Sequence, residues 1–190
     1  MDEFLKVSYL FSPLLVGLAF HGLCMKFGWL RSLASPIDGG KTLRGERLFG
    51  ANKTYRGVIA VALGTAVGVG LQDLLHYFRG MRNLELLDHG SPAILGLGLA
   101  MGAAAMLSEL PNSLLKRQLG IVPGAAGRGV VGVMFYVLDQ VDMLLGAWVV
   151  VGFAVPITAT RLLWSVLFLF IAHQLLTVVG YGLGMRGTVR

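Results

Sequence analysis

Residues 108–142 read SELPNSLLKRQLGIVPGAAGRGVVGVMFYVLDQVD, and they decide the fold. The second half of this stretch opens an apolar run, Val130 to Val155, that is long enough to cross a bilayer. Asp139 and Asp142 sit inside that run. Carboxylates at such depth are costly, so they face a water-filled cavity or another polar group and carry function. The first half gathers Glu109, Asn112, Ser113, Lys116 and Arg117 just before it. The stretch therefore predicts a membrane helix whose polar residues meet a polar segment beside it.

Four further apolar runs surround this one. They are Leu5–Met25, Val58–Leu75, Ala93–Leu107 and Leu162–Leu183. Of the 190 residues, 55% are hydrophobic and 14% charged, against about 25% charged in a soluble domain. The expectation is an all-α integral membrane protein, one domain over residues 1–190, with five spans and two polar loops. The N-terminal MDEFLK is acidic and no small-residue cleavage site follows, so the first run reads as a retained span. In the second run, Ala60, Gly64 and Gly68 recur every four positions, and Gly98 and Gly102 do so in the third. That spacing lays small residues on one helix face, where helices approach closely. The single cysteine, Cys24, excludes an internal disulfide and a cysteine zinc site, and reads as a small buried hydrophobe.

Charge orients the spans. The loop Lys26–Gly57 carries Lys26, Arg31, Lys41, Arg44, Arg47, Lys53 and Arg56 against Asp38 and Glu46. The second loop, Ser108–Gly129, carries Lys116, Arg117 and Arg128, and the tail carries Arg186 and Arg190. Placing these inside leaves only Lys6, Arg79, Arg82 and Arg161 of the 16 basic residues outside. The positive-inside rule then predicts an outside N-terminus, a cytoplasmic C-terminus and both basic loops in the cytoplasm. The net charge of +6 follows membrane topology and anionic substrates, and nothing points to nucleic acid.

Asp139 and Asp142 are three apart, on one face of a helix. Such a pair suits Mg²⁺, which takes carboxylate oxygens and substrate phosphates. It also suits a buried salt bridge to Lys or Arg, or helix caps. Lys116 and Arg117 fit a phosphate clamp or contact with anionic lipid heads. Glu109 could orient a base or an amine, or be an exposed charge. In the first loop, GERLFGANKTYRG (residues 45–57) comes near a P-loop. Two extra residues before Lys53-Thr54 and the lack of a preceding strand exclude it, although the exposed backbone at its glycines, with Asn52, Lys53 and Arg56, fits phosphate binding. Asp38-Gly39-Gly40-Lys41 reads as a turn. Pro111, Pro123 and the glycines argue against one continuous helix in the second loop, with a short one at Ser113–Leu119. No nucleophile–histidine–acid set can be assembled. His21 and His173 are isolated in apolar runs, while His76 and His89 fall in the opposite link.

Three blocks together are distinctive: PIDGGKTLRGERLFGANKTYRG at Pro36–Gly57, ELPNSLLKRQLGIVPG at Glu109–Gly124, and FYVLDQVD at Phe135–Asp142. In these blocks the chain resembles the CDP-archaeol synthase family, relatives of the phosphatidate cytidylyltransferases. Tyr55 stands where that family commonly has tryptophan and Leu114 where it has phenylalanine. The histidine–glycine element of the bacterial-type enzymes is missing. The resemblance implies a CTP-dependent nucleotidyltransferase: CTP and a lipid phosphate, archaetidic-type or phosphatidic, give a CDP-lipid and pyrophosphate with Mg²⁺, in phospholipid biosynthesis. It implies Asp139 and Asp142 as metal ligands and catalytic groups, and Lys116 and Arg117 as catalytic phosphate-handling groups. It also implies Asn52, Lys53, Arg56, Glu109, Asn112 and Ser113 as substrate-binding. Three rival readings are weaker. A CDP-alcohol phosphotransferase needs D-x-x-D-G, whereas Met143 follows Asp142 and no acidic residue comes later. A glycerol-phosphate acyltransferase fits in size and span count. An ion or lipid transporter would use the aspartates as ligands, but no inverted repeat is evident.

Overall fold

The computed structural model describes residues 2–76, 79–87, 91, 93–122 and 129–182. Pro123, Gly124, Arg128, His89, Leu183, Arg186 and Arg190, which entered the sequence reading, lie outside the described residues.

Among the described residues seven α-helices form in chain order: α1 (Asp2–Phe27), α2 (Tyr55–Leu75), α3 (Arg79–Arg82), α4 (Ala93–Leu107), α5 (Glu109–Gln118), α6 (Gly129–Val151) and α7 (Ala159–Gly182). Among the described residues five stretches are long and apolar enough to cross a membrane: α1, α2, α4 with α5, α6 and α7. The chain is thus a multi-pass membrane protein. The apolar runs foresaw four of the spans to within a few residues, while the third runs on from Leu107 to Gln118; α2 gains a turn because Thr54 caps it, its hydroxyl accepting from Gly57 N at 3.3 Å.

The second loop needs correction. It is not an irregular loop with a helix from Ser113. The backbone of Ser108 stays helical (φ −64°, ψ −18°), and α5 runs on from α4. Pro111 does not interrupt it, because it stands third in α5, where its missing N–H has no intrahelical acceptor to lose.

Small residues set the packing. α2 lies between α1 and α4, tightly against both. A Cβ on Gly64 would stand 2.7 Å from Gly17 Cα, and one on Gly102 would stand 2.7 Å from the Val61 carbonyl. Gly68 meets Pro13 and Gly98 meets Ala66 in the same way. Large apolar side chains such as Leu74, Val133, Val149 and Leu163 point outward, the reverse of a soluble core and the arrangement lipid favours. α6 packs on α4, where Gly146 sits against Ala104, and α7 packs on α1. Phe11 and Trp148 meet edge to face at 5.2 Å, and Trp148 Nε1 donates to Ser165 Oγ at 3.0 Å. At the end where α1 and α7 begin, Arg161 Nε pairs with Glu3 at 3.3 Å.

Between α1 and α2 the polar segment is built rather than loose. Thr42–Leu43 and Glu46–Arg47 pair as a minimal antiparallel hairpin, β1 and β2. Arg44 and Gly45 turn it, both with positive φ (56° and 86°), the mark of a tight type I′ turn. Asp38 is its hub. The carboxylate accepts from Gly40 N (2.9 Å), Arg47 Nη2 (2.5 Å), Phe49 N (3.2 Å) and Gly50 N (3.1 Å). Burial raises the Asp38 carboxyl, but Arg47 and these three amides outweigh it and hold it at about 2. Gln118 Nε2 donates to Leu43 O at 3.3 Å and ties the hairpin to the end of α5.

Candidate active site

α5 and α6 bring their polar faces together. Asn112 and Lys116, one helical turn apart on α5, look toward Asp139 and Asp142, one turn apart on α6. Asn112 Nδ2 donates to Asp139 Oδ1 at 2.7 Å and to Asp142 Oδ2 at 3.0 Å. Lys116 Nζ meets both oxygens of Asp139, with 2.5 Å to Oδ1, and sits over the Phe135 ring at 5.4 Å. Met143 N donates to Asp142 Oδ1 at 2.7 Å. Ser108, at the α4–α5 junction, sets the register by donating its hydroxyl to the Asp142 carbonyl at 2.6 Å.

The two carboxylates differ in surroundings. Asp142 is 8% exposed, whereas the Asp139 side chain is 47% exposed even with Lys116 against it. Asp139 is the open side of the site and Asp142 its floor. Of the sequence alternatives, a salt bridge exists for Asp139, and neither aspartate caps a helix start, since α6 begins at Gly129.

Lys53 comes from the segment before α2 and forms an ion pair with Glu109 at the start of α5. Glu109 is therefore a partner to an amine rather than an exposed charge. This links the first polar segment to the second across the bundle.

Other expected residues are placed apart. Arg117 follows Lys116, and one helical step of about 100° turns it to the hairpin side. There it lines a cleft with Glu46 and Arg47. Arg56 turns toward α1, its Nη2 at 2.7 Å from Met25 Sδ. Asn52 is exposed, and Ser113 is buried on α5. Sequence reading missed Asp38, Arg47 and Ser108 as organisers of the site. The Asp-Gly-Gly turn was the signal for the first. Nothing local marks the other two, whose partners are distant in sequence.

The donors suit a hard cation. Asp139 and Asp142 offer carboxylate oxygens, and Asn112 Oδ1 is buried with no hydrogen-bond partner among the described residues. Two carboxylates and an amide oxygen beside them make a donor set of the kind Mg²⁺ accepts. Among the described residues no third His, Cys, Asp or Glu joins them, so the remaining positions would fall to water and substrate oxygen.

A family model described as CarS-like, CDP-archaeol synthase, matches residues 7–189. The chain is 40% identical over 124 residues to a CDP-archaeol synthase of Halobacterium salinarum, a match covering 64% of this chain and 61% of that relative. It is 30% identical over 166 residues to one of Methanosarcina mazei, covering 80% and 87%, and 32% identical over 158 residues to one of Methanocaldococcus jannaschii, covering 80% and 81%. Its fold is similar to a solved intramembrane enzyme for archaeal membrane lipid biosynthesis, with a TM-score of 0.65 and 22% identity over 90% of this chain and 91% of that one.

Proposed function

The chain belongs to the CDP-archaeol synthase family, and on that premise we propose that it is an enzyme transferring CMP from CTP to a membrane lipid phosphate. The products are a CDP-lipid and pyrophosphate. The observation that carries this reading is the convergence of Asn112, Lys116, Asp139 and Asp142 inside a membrane bundle.

In this reading a phosphate oxygen of the lipid attacks the α-phosphorus of CTP. A new P–O bond forms, the bond from that phosphorus to the bridging oxygen breaks, and pyrophosphate leaves with the electron pair. No protein nucleophile is required, so positioning and charge compensation do the work. Asp139, Asp142 and Asn112 Oδ1 would hold Mg²⁺. Bound there, it would offset phosphate charge as the displacement proceeds. Lys116 shields the exposed Asp139 and can give its ammonium protons to a phosphate oxygen. Lys53 supplies a second ammonium, which Glu109 orients. Asn112 fixes both carboxylates in one arrangement through a single amide. Asn52 and Ser113 remain substrate contacts in this proposal, and Arg56 a cation of the same segment. The polar segments face the cytoplasm, where CTP is found, and the N-terminus lies outside.

The test is incorporation of labelled CTP into lipid-extractable product by purified protein with Mg²⁺. Phosphatidic acid and an ether-linked isoprenoid phosphate serve as parallel acceptors. CDP-lipid from the ether acceptor alone gives the narrow substrate, and product from both gives a broad one. Folded protein that forms product from neither is not a cytidylyltransferase.

A further inference from the structure

Beyond Phe27 the chain leaves α1 through a tight hook. Gly28 and Leu30 both take positive φ (68° and 55°). A single 3₁₀ turn follows over Arg31–Leu33, closed by Leu33 N donating to Leu30 O and Ala34 N to Arg31 O, each at 3.0 Å. A left-handed leucine is unfavourable by itself, so its surroundings hold it there. The hook folds Trp29 back on the helix it has just left. The indole stacks on Phe27 with ring centres 5.5 Å apart and leans against Phe20 at 6.4 Å. Two cations border the rings. Lys26 Nζ stands 5.7 Å over the Phe27 ring. Arg31 is drawn back over Gly28, where a Cβ would stand 2.7 Å from its Nε.

Met25, Phe27 and Trp29 are nonetheless about half exposed, and Lys26 and Arg31 are exposed beside them. Such a patch at the end of a spanning helix meets either water or the headgroup layer. Water would leave three large apolar side chains wet. The headgroup layer suits both parts of the patch. Aromatic rings rest at that depth, and Lys and Arg lay their stems on apolar surface while their heads reach phosphate. Residues 25–35 contain two cations and no acid. The next acid along the chain, Asp38, is already engaged by Arg47 and three backbone amides. The charge therefore selects among headgroups. We propose that the hook after α1 is a docking surface for anionic phospholipid headgroups of the leaflet at the hairpin end. The paired aspartates stand on α6, facing α5, so a lipid held at the hook is a neighbour of the enzyme and not its acceptor substrate.

Trp29 itself reports on the surface. Of the three tryptophans, Trp148 is buried in the core and Trp164 packs on Phe4 at the other end of the bundle. In a Trp164→Phe chain, Trp29 is the tryptophan that lipid can still reach. That chain is reconstituted in phosphatidylcholine vesicles with a minor share of brominated phosphatidylglycerol or, in parallel, of brominated phosphatidylcholine. The anionic quencher should be the stronger, each cation contributing a preference of about fivefold. Lys26→Gln combined with Arg31→Gln should bring the two quenchers within about twofold of each other. Salt at about 1 M, where the Debye length is about 3 Å, should do the same with both cations in place, so the test does not depend on the double variant folding. Equal quenching by the two lipids describes an aromatic belt without headgroup preference and overturns the proposal. So does an unquenched Trp29, or a preference that survives salt or, in a folded chain, the double substitution.

Discussion

Asp139 and Asp142 look equivalent in the sequence, but they should fail differently. Asp139 is half exposed and held only by side chains, so Asp139→Asn should leave thermal stability near wild type. Turnover should fall roughly 10²-fold or more, the scale of removing one preorganised group from an active centre. Asp142 is buried and accepts from Met143 N and Asn112. Asp142→Asn turns an acceptor into a donor there and should cost about 1–3 kcal/mol as well as activity. Paired melting curves and initial rates check both, and a stable, active Asp139→Asn chain would remove the reaction centre from this site. Asp38 gives a pH prediction. Its carboxyl is held at about 2 against an ordinary 3.8, so its stabilisation is fully present above 3.8 and is lost as pH falls through about 2. Asp38→Asn should therefore melt lower than wild type at neutral pH, and the gap should close below pH 3.8. A gap that is constant with pH would mean the charge is not what anchors the hairpin.

At the scale of elements, close packing rests on glycine faces that the sequence spells out. Gly64→Ala sets a Cβ against the backbone of Gly17, where neither helix can yield without moving, so about 1–3 kcal/mol of destabilisation is expected from overpacking. Gly96→Ala in α4 meets nothing within 4 Å and should be neutral or slightly stabilising. Detergent melting of the two variants separates packing from helix propensity, and equal effects would discount the packing. The same four-residue spacing made these contacts legible, because it needs only one helix to state it. α5 was not legible for the opposite reason. Its proline and nearby glycines read as breakers, and only the start of α5 at Glu109 shows Pro111 to stand in a first turn, where it is harmless. The hairpin was equally hidden. Its strands are two residues each, too short for any alternation to register, and its stability comes from Asp38 several residues away. The carboxylate pair was readable as chemistry, but its bridge through Asn112 depends on a contact across 27 residues.

Across the whole molecule, helix direction assigns every polar feature to one of two ends. α1 and α7 begin together at the Glu3–Arg161 pair, and α2 ends near the link where His76 Nδ1 meets Glu85 at 2.8 Å. The hairpin, the Lys53–Glu109 pair and the cleft at Arg117 gather at the opposite end. Asp139 lies about 15 Å inside α6 from its start at Gly129, at 1.5 Å per residue. In the proposed reaction CTP enters from the hairpin end, and the lipid phosphate comes to the open side of Asp139. This requires the hairpin end to be cytoplasmic, as the excess of Lys and Arg there predicts. The single cysteine makes the orientation measurable. In a Cys24→Ser background, one cysteine replaces exposed Asn83 and, in a second chain, exposed Lys41. A membrane-impermeant maleimide on sealed cells should label the Asn83→Cys chain at once and the Lys41→Cys chain only after permeabilisation. The reverse pattern would put the site on the side without CTP. The topology and the proposed nucleotide substrate would then fall together.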